Sequence, residues 1–102
     1  MKEIKKLVHQ IEDEIRDAEK YAKCAIENKE SRPELARIYA QLAGQEMEHM
    51  AALHGAVTNL IEEERRNNGE PPAGMLQAYD IIHEWQVAHA AEVRSLIQLA
   101  RE

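Results

Sequence analysis

Phenylalanine is absent from this 102-residue chain, cysteine occurs once, and the aromatic set is three tyrosines and one tryptophan. A core made without Phe must come from Ala, Leu, Ile, Val and Met, side chains small enough to let helices approach closely. The single Cys24 excludes an internal disulfide, a CxxC redox pair and any cysteine-rich zinc or rubredoxin-type iron site, and it fits a reducing compartment. No apolar run approaches the ~18 to 20 residues that span a bilayer. The opening MKEIKKLVHQIEDEI carries a charge every few residues and no apolar segment of the signal-peptide kind, so a cytoplasmic protein is the expectation. Basic residues are in deficit, 13 against 19 acidic ones, for a net charge of −6. Without a Lys/Arg stripe, neither nucleic acid nor anionic lipid is an expected partner.

Helix breakers are scarce too, and they collect in two places, NKESRP at 28–33 and NNGEPPAG at 67–74. Between them run helix formers with apolar residues three or four apart, and no alternating strand pattern appears. The chain therefore reads as one all-α domain, 1–102, with helices over about 2–28, 32–67 and 75–101. Ser31 and Glu34 have the spacing of a capping box at the start of the second helix. Short connections favour antiparallel neighbours, so the expected course is up-down-up. A domain this small gains from association, and a homo-oligomer, a dimer or larger, is expected to complete the bundle.

The first helix carries the stripe Ile4, Leu7, Ile11, Glu14, Ala18, Tyr21, Ala25. The second reads Leu35, Ile38, Leu42, Glu46, His49, Leu53, Ala56, Leu60, with a second apolar line through Met47, Met50, His54, Val57 and Ile61. The third shows Leu76, Tyr79, Ile82, Gln86, His89, Val93, Leu96, Ala100. Glu14, Glu46 and His49 thus occupy positions where the spacing asks for apolar residues. A carboxylate buried there needs a compensating partner.

Register links the three. Residue 30, the centre of the first turn, lies 16 residues after Glu14 and 16 before Glu46, so the two carboxylates fall at one height. His49 lies one turn beyond Glu46 on the same face. Two carboxylates and an imidazole suit iron, manganese or zinc rather than calcium or magnesium. A polar layer without metal, held by hydrogen bonds or ion pairs, is the alternative.

The segments EIRDAEKY, with Glu14 and Tyr21, and LARIYAQLAGQEMEHMAAL, with Glu46 and His49, resemble the first helical hairpin of the ferritin-like superfamily, rubrerythrin branch, over about residues 4–60. The resemblance implies a carboxylate-bridged di-iron (Fe2+/Fe3+) centre. In it Glu46 would bridge two ions, Glu14 and His49 would be terminal ligands, and Tyr21 would be a hydrogen-bond partner behind them. It also implies oxidation of iron or handling of oxygen or peroxide, as a ferroxidase or a peroxidase-type oxidoreductase.

Only half of that ligand set is present. Such proteins use a Glu from each of two helices and an ExxH from each of the other two, whereas this chain has one of each. The third helix offers His89 and Glu92 in reversed order. Reflection about residue 71 puts Glu46 and His49 level with residues 96 and 93, which makes Glu92 the nearest extra carboxylate and allows a one-metal site with Glu14, Glu46 and His49. The fuller expectation is a two-metal site shared by two chains across a twofold axis. A reading of another class is a metal-free interaction module using the Met47/Met50 line and the Ile81, Trp85, Ala88, Glu92 face.

Overall fold

A computed structural model describes residues 2–102. It consists of three packed helices, α1 (Lys2–Asn28), α2 (Pro33–Asn68) and α3 (Ala73–Arg101). The 36-residue α2 sets the length of the molecule, 56 × 18 × 17 Å, because a helix of that size at ~1.5 Å per residue runs about 54 Å.

The helix starts differ from expectation. Arg32, not Ser31, is the N-cap of α2 and makes no side-chain capping bond, so the capping box does not form. Pro33 decides this: its fixed φ and missing N–H suit the first helical position, and it displaces the cap by one residue. At the other end Gly69 takes φ 77° and its N–H closes on the Arg65 carbonyl, a conformation open to glycine at no steric cost. α3 begins at Ala73, behind Pro72, two residues earlier than the spacing indicates.

The core is aliphatic and fine-grained. Ile11, Ile15, Ala18, Ala22 and Val93 are almost fully buried and form one cluster with Ile4, Met50, Val57 and Ile97. Each fully buried Ile or Val contributes ~1.5–3 kcal/mol, and the alanines let α1 and α2 approach closely. Cross-helix contacts fix the register: Tyr21 stacks on Tyr39, His54 on His83, the Gln86 amide donates to the Val8 carbonyl at 3.1 Å, and Lys29 Nζ donates to the Leu99 carbonyl at 2.8 Å. The last of these supplies a cation to the C-terminal turn of α3, where carbonyls lack helical partners.

On α2 the two apolar lines exchange the roles that spacing alone gives them. Ala36, Ala40, Ala43, Met50 and Val57 are the buried residues, while the line through Glu46 is only half-buried and Ile38 on it is 54% exposed. The reason lies in where α3 sits. It meets α1 at Val8, Glu12 and Glu19 and α2 near Gly44 and His54, so it covers the Met50 side and leaves the Glu46 side open. α3 itself leaves Ile81, Trp85, Val87 and Leu99 exposed. Among the described residues no helix is long and apolar enough to cross a membrane.

Candidate metal centre

The open side of the α1–α2 pair is where the polar residues of the apolar lines meet. Glu14 comes from the middle of α1, and Glu46 and His49 from successive turns of α2. His49 Nδ1 lies 3.5 Å from Glu14 Oε2 and 3.9 Å from Glu46 Oε2. One donor atom from each of the three lies within 4.8 Å of the others. Two donors on one ion at ~2.1 Å are themselves ~3–4 Å apart, so a small contraction brings these atoms into a first coordination shell.

The electrostatics describe a site short of positive charge. Glu14 Oε2 is buried and has no hydrogen-bond partner, because its approach to His49 lacks hydrogen-bond geometry. Glu46 is held above the ordinary carboxyl value of 4.5 chiefly by a hydrogen bond shared with Glu14, then by burial and by the Glu14 charge, while His49 pulls it the other way. A proton on Glu46 supplies the donor that Glu14 otherwise lacks. A cation between them would do the same with more charge, and the two oxygens plus an imidazole nitrogen form a donor set for a first-row transition ion. His49 is 60% exposed, so the cluster opens outward rather than into the core.

The candidate ligands read from the sequence divide between two places. Glu14, Glu46 and His49 converge as their register demands. His89 and Glu92 are not brought to them: Glu92 is exposed on α3, and His89 stands between Glu12 and Glu19 with Nδ1 3.3 Å and Nε2 2.9 Å from their carboxylates. Nor does His89 pair with Glu92 along its own helix. Height along the bundle points to Glu92, but azimuth decides which side chains meet. Glu12 and Glu14 are about 200° apart around α1 at ~100° per residue, and α3 lies on the Glu12 side.

Three further features escape sequence reading. His89 sets one ring nitrogen against Glu12 and the other against Glu19, and so is a polar clasp between α1 and α3. Its hydrogen bond is the chief reason the Glu19 carboxyl is held below its ordinary value, assisted by Lys23 and opposed by burial. Glu12 and Glu19, seven apart and hence on one helix face, were the available signal. Tyr21 stacks on Tyr39 with ring centroids 6.2 Å apart. Tyr39 precedes Glu46 by the seven residues that separate Glu14 from Tyr21, so the tyrosine pair repeats the carboxylate pair two turns away. His54 and His83 stack with centroids 5.0 Å apart. Cys24 is half-buried.

No protein-family profile, curated protein or solved structure matches this chain.

Proposed function

We propose that the chain is a ferritin-like, rubrerythrin-like metal protein whose Glu14, Glu46 and His49 are half of a carboxylate-bridged di-iron centre, the other half coming from a second copy. The observation that carries this reading is the convergence of two carboxylates and one imidazole on the uncovered side of α1 and α2. Leu35, Leu42, Leu53 and Leu60, half-buried, and Ile38, exposed, flank the cluster along α2. A twofold axis through this face would set hairpin against hairpin, cover the leucines and bring two Glu-Glu-His sets together. The up-down-up course is supported by the pairing of Tyr21 with Tyr39, His54 with His83 and Lys29 with Leu99.

Bound iron would supply the electrons that reduce dioxygen or hydrogen peroxide. The chain's own part is electrostatic and positional. Glu14 and Glu46 offset the cation charge, and Glu46 gives up its shared proton when a cation takes that place. His49 supplies a neutral nitrogen, and Tyr21 and Tyr39 stack two turns away toward the first turn. Manganese or zinc fits the same donors. The absence of a CxxC pair means electrons for a peroxidase cycle would come from a separate donor, and the lone Cys24 suits the reducing cytoplasm.

The test is the iron retained by untagged protein after incubation with Fe2+ and removal of excess, with mass in solution measured on the same samples. One iron per chain in a dimer or larger assembly, lost in Glu46→Ala and His49→Ala, supports the shared site. Wild-type protein that retains none, with both variants assembling as well, sinks it. That result would favour a metal-free interaction module, which has its own observation: Ile81 and Trp85, 67% and 62% exposed, form an apolar face on α3.

A further inference from the structure

A second set of metal-ligating side chains, a histidine pair, lies on the other side of α2. His54 follows His49 by five residues, which turns it about 140° around the helix at ~100° per residue, toward α3. There its ring stacks on that of His83, with centroids 5.0 Å apart and planes 24° from parallel. His54 is half-buried and His83 exposed, so the pair sits at the mouth of the α2–α3 seam.

The separation matches ligation. With a metal–nitrogen bond of ~2.1 Å and a ring radius of ~1.2 Å, two imidazoles on one tetrahedral or square ion have centres about 5 Å apart. The χ2 torsion, which rotates an imidazole about its Cβ–Cγ bond and redirects its nitrogens, is soft. Among the described residues, the ring hydrogen bonds of histidine are both made by His89, so the His54 and His83 nitrogens are uncommitted.

The surroundings supply the rest of a site. A cavity of about 270 Å³ is lined by both histidines together with Asp80 and Tyr79. Asp80, one turn before His83 on α3, is exposed and adds negative charge to the mouth of the cavity without joining the pair as a third donor. The Tyr79 hydroxyl is buried without a hydrogen-bond partner, which a ligated water would satisfy.

We infer that His54 and His83 form a second cation site, bridging α2 and α3, for a late first-row divalent ion whose remaining positions water fills. Zn2+ is the ion that two imidazoles and water fit without a redox role. Occupation would tie α3 to α2 in the stretch where Ile81, Ile82, Trp85 and Val87 are exposed and apolar packing contributes least. This site is independent of the Glu14 centre: it shares no ligand with it and asks nothing of a second copy.

The probe is Zn2+ alone, titrated into the full chain in the Glu46→Gln background, which weakens the other cluster. Calorimetry is read beside the histidine ring resonances in nitrogen-edited NMR. The expected result is one zinc per chain, His54 and His83 resonances shifting together, a zinc-dependent rise in melting temperature, and at least a tenfold loss of affinity in His83→Gln. His83 is exposed, so that variant keeps its fold, with helix content verified by circular dichroism. Zinc that fails to bind, or binds without moving either ring and equally well in His83→Gln and His54→Gln, overturns the inference. Neither result bears on iron retention by the Glu14 cluster, which is read with Fe2+ on the wild type.

Discussion

Glu12 and Glu14 stand two residues apart on α1 and serve opposite sides of the molecule. Glu12 Oε1 meets His89 of α3 at 3.3 Å, whereas Glu14 Oε2 meets His49 of α2 at 3.5 Å. The same helix therefore carries a polar clasp on its closed side and a cluster short of hydrogen-bond donors on its open side. In the clasp each carboxylate has its own ring nitrogen of His89. In the cluster both carboxylates approach the one Nδ1 of His49 and Glu14 Oε2 has no hydrogen-bond partner, a shortage that a cation would relieve.

Removal of the clasp should cost stability. In His89→Ala both Glu12 and Glu19 lose their cross-helix partner while staying partly buried, and an unpartnered charged group costs ~1–3 kcal/mol. We expect about 2 kcal/mol lost in urea unfolding, with Glu19→Gln losing less because the Glu12–His89 contact remains. A His89→Ala protein as stable as wild type would show that α3 is held by its apolar residues alone.

The clasp also sets a pH dependence. The Glu19 carboxyl is held below its ordinary value of 4.5, chiefly by His89. The stability it contributes is therefore present above that value and is lost as pH falls through the lowered one. Unfolding followed from pH 6 downward should show a limb that flattens in Glu19→Gln. Equal slopes in the two proteins would remove Glu19 from the account.

Glu46→Gln should separate stability from metal binding. Glu46 is raised by its hydrogen bond to Glu14, by burial and by the Glu14 charge, so its ionised form opposes folding at neutral pH. An amide keeps the shape, drops the charge and donates to Glu14 without needing a proton. We expect metal-free Glu46→Gln to be as stable as wild type or more stable by up to ~1 kcal/mol, while retained iron falls several-fold. Loss of both stability and iron would mean that Glu46 is a structural residue.

Periodicity in the sequence was enough to find three helices and enough to bring Glu14, Glu46 and His49 to one height and one face. Height follows from chain arithmetic, and these three lie on a pair joined by a short turn, where little else is free. The position of α3 around that pair is not periodic information. It depends on which of two apolar lines on α2 packs better, and the line with Ala36, Ala40 and Ala43 wins because small residues allow close approach. From that choice follow the exposure of Glu92, the placement of His89 against Glu12 and Glu19, and the His54–His83 stack. The Ser31 and Glu34 spacing failed for a local reason, since Pro33 between them fixes where the helix can begin.

Two glycines should respond with opposite signs. Gly55 lies inside α2, and a Cβ added there meets nothing within 4 Å. Gly55→Ala should stabilise by ~0.5–1 kcal/mol through helix propensity. Gly69 has φ 77°, where a side chain is strained, and Gly69→Ala should destabilise by ~1 kcal/mol. Thermal melts of the two variants, displaced in opposite directions, would show that the α2 end is set by Gly69; a Gly69→Ala melt at or above wild type would contradict it.

The open face makes the sharpest demand on assembly. Ile38 is 54% exposed on the same side of α2 as Leu42 and Glu46, so Ile38→Glu costs a single chain almost nothing in fold. In a dimer built on this face the same change would bury a like charge from each copy, and the association should fail. Light scattering of Ile38→Glu should then show a monomer with full helix content, and iron retention should fall with it although none of Glu14, Glu46 and His49 has changed. Trp85→Glu, on the exposed face of α3, should leave both unaltered. The reverse pattern, with assembly lost only in Trp85→Glu and iron kept in Ile38→Glu, would move the interface to α3 and leave the Glu14, Glu46, His49 cluster as a site within one chain.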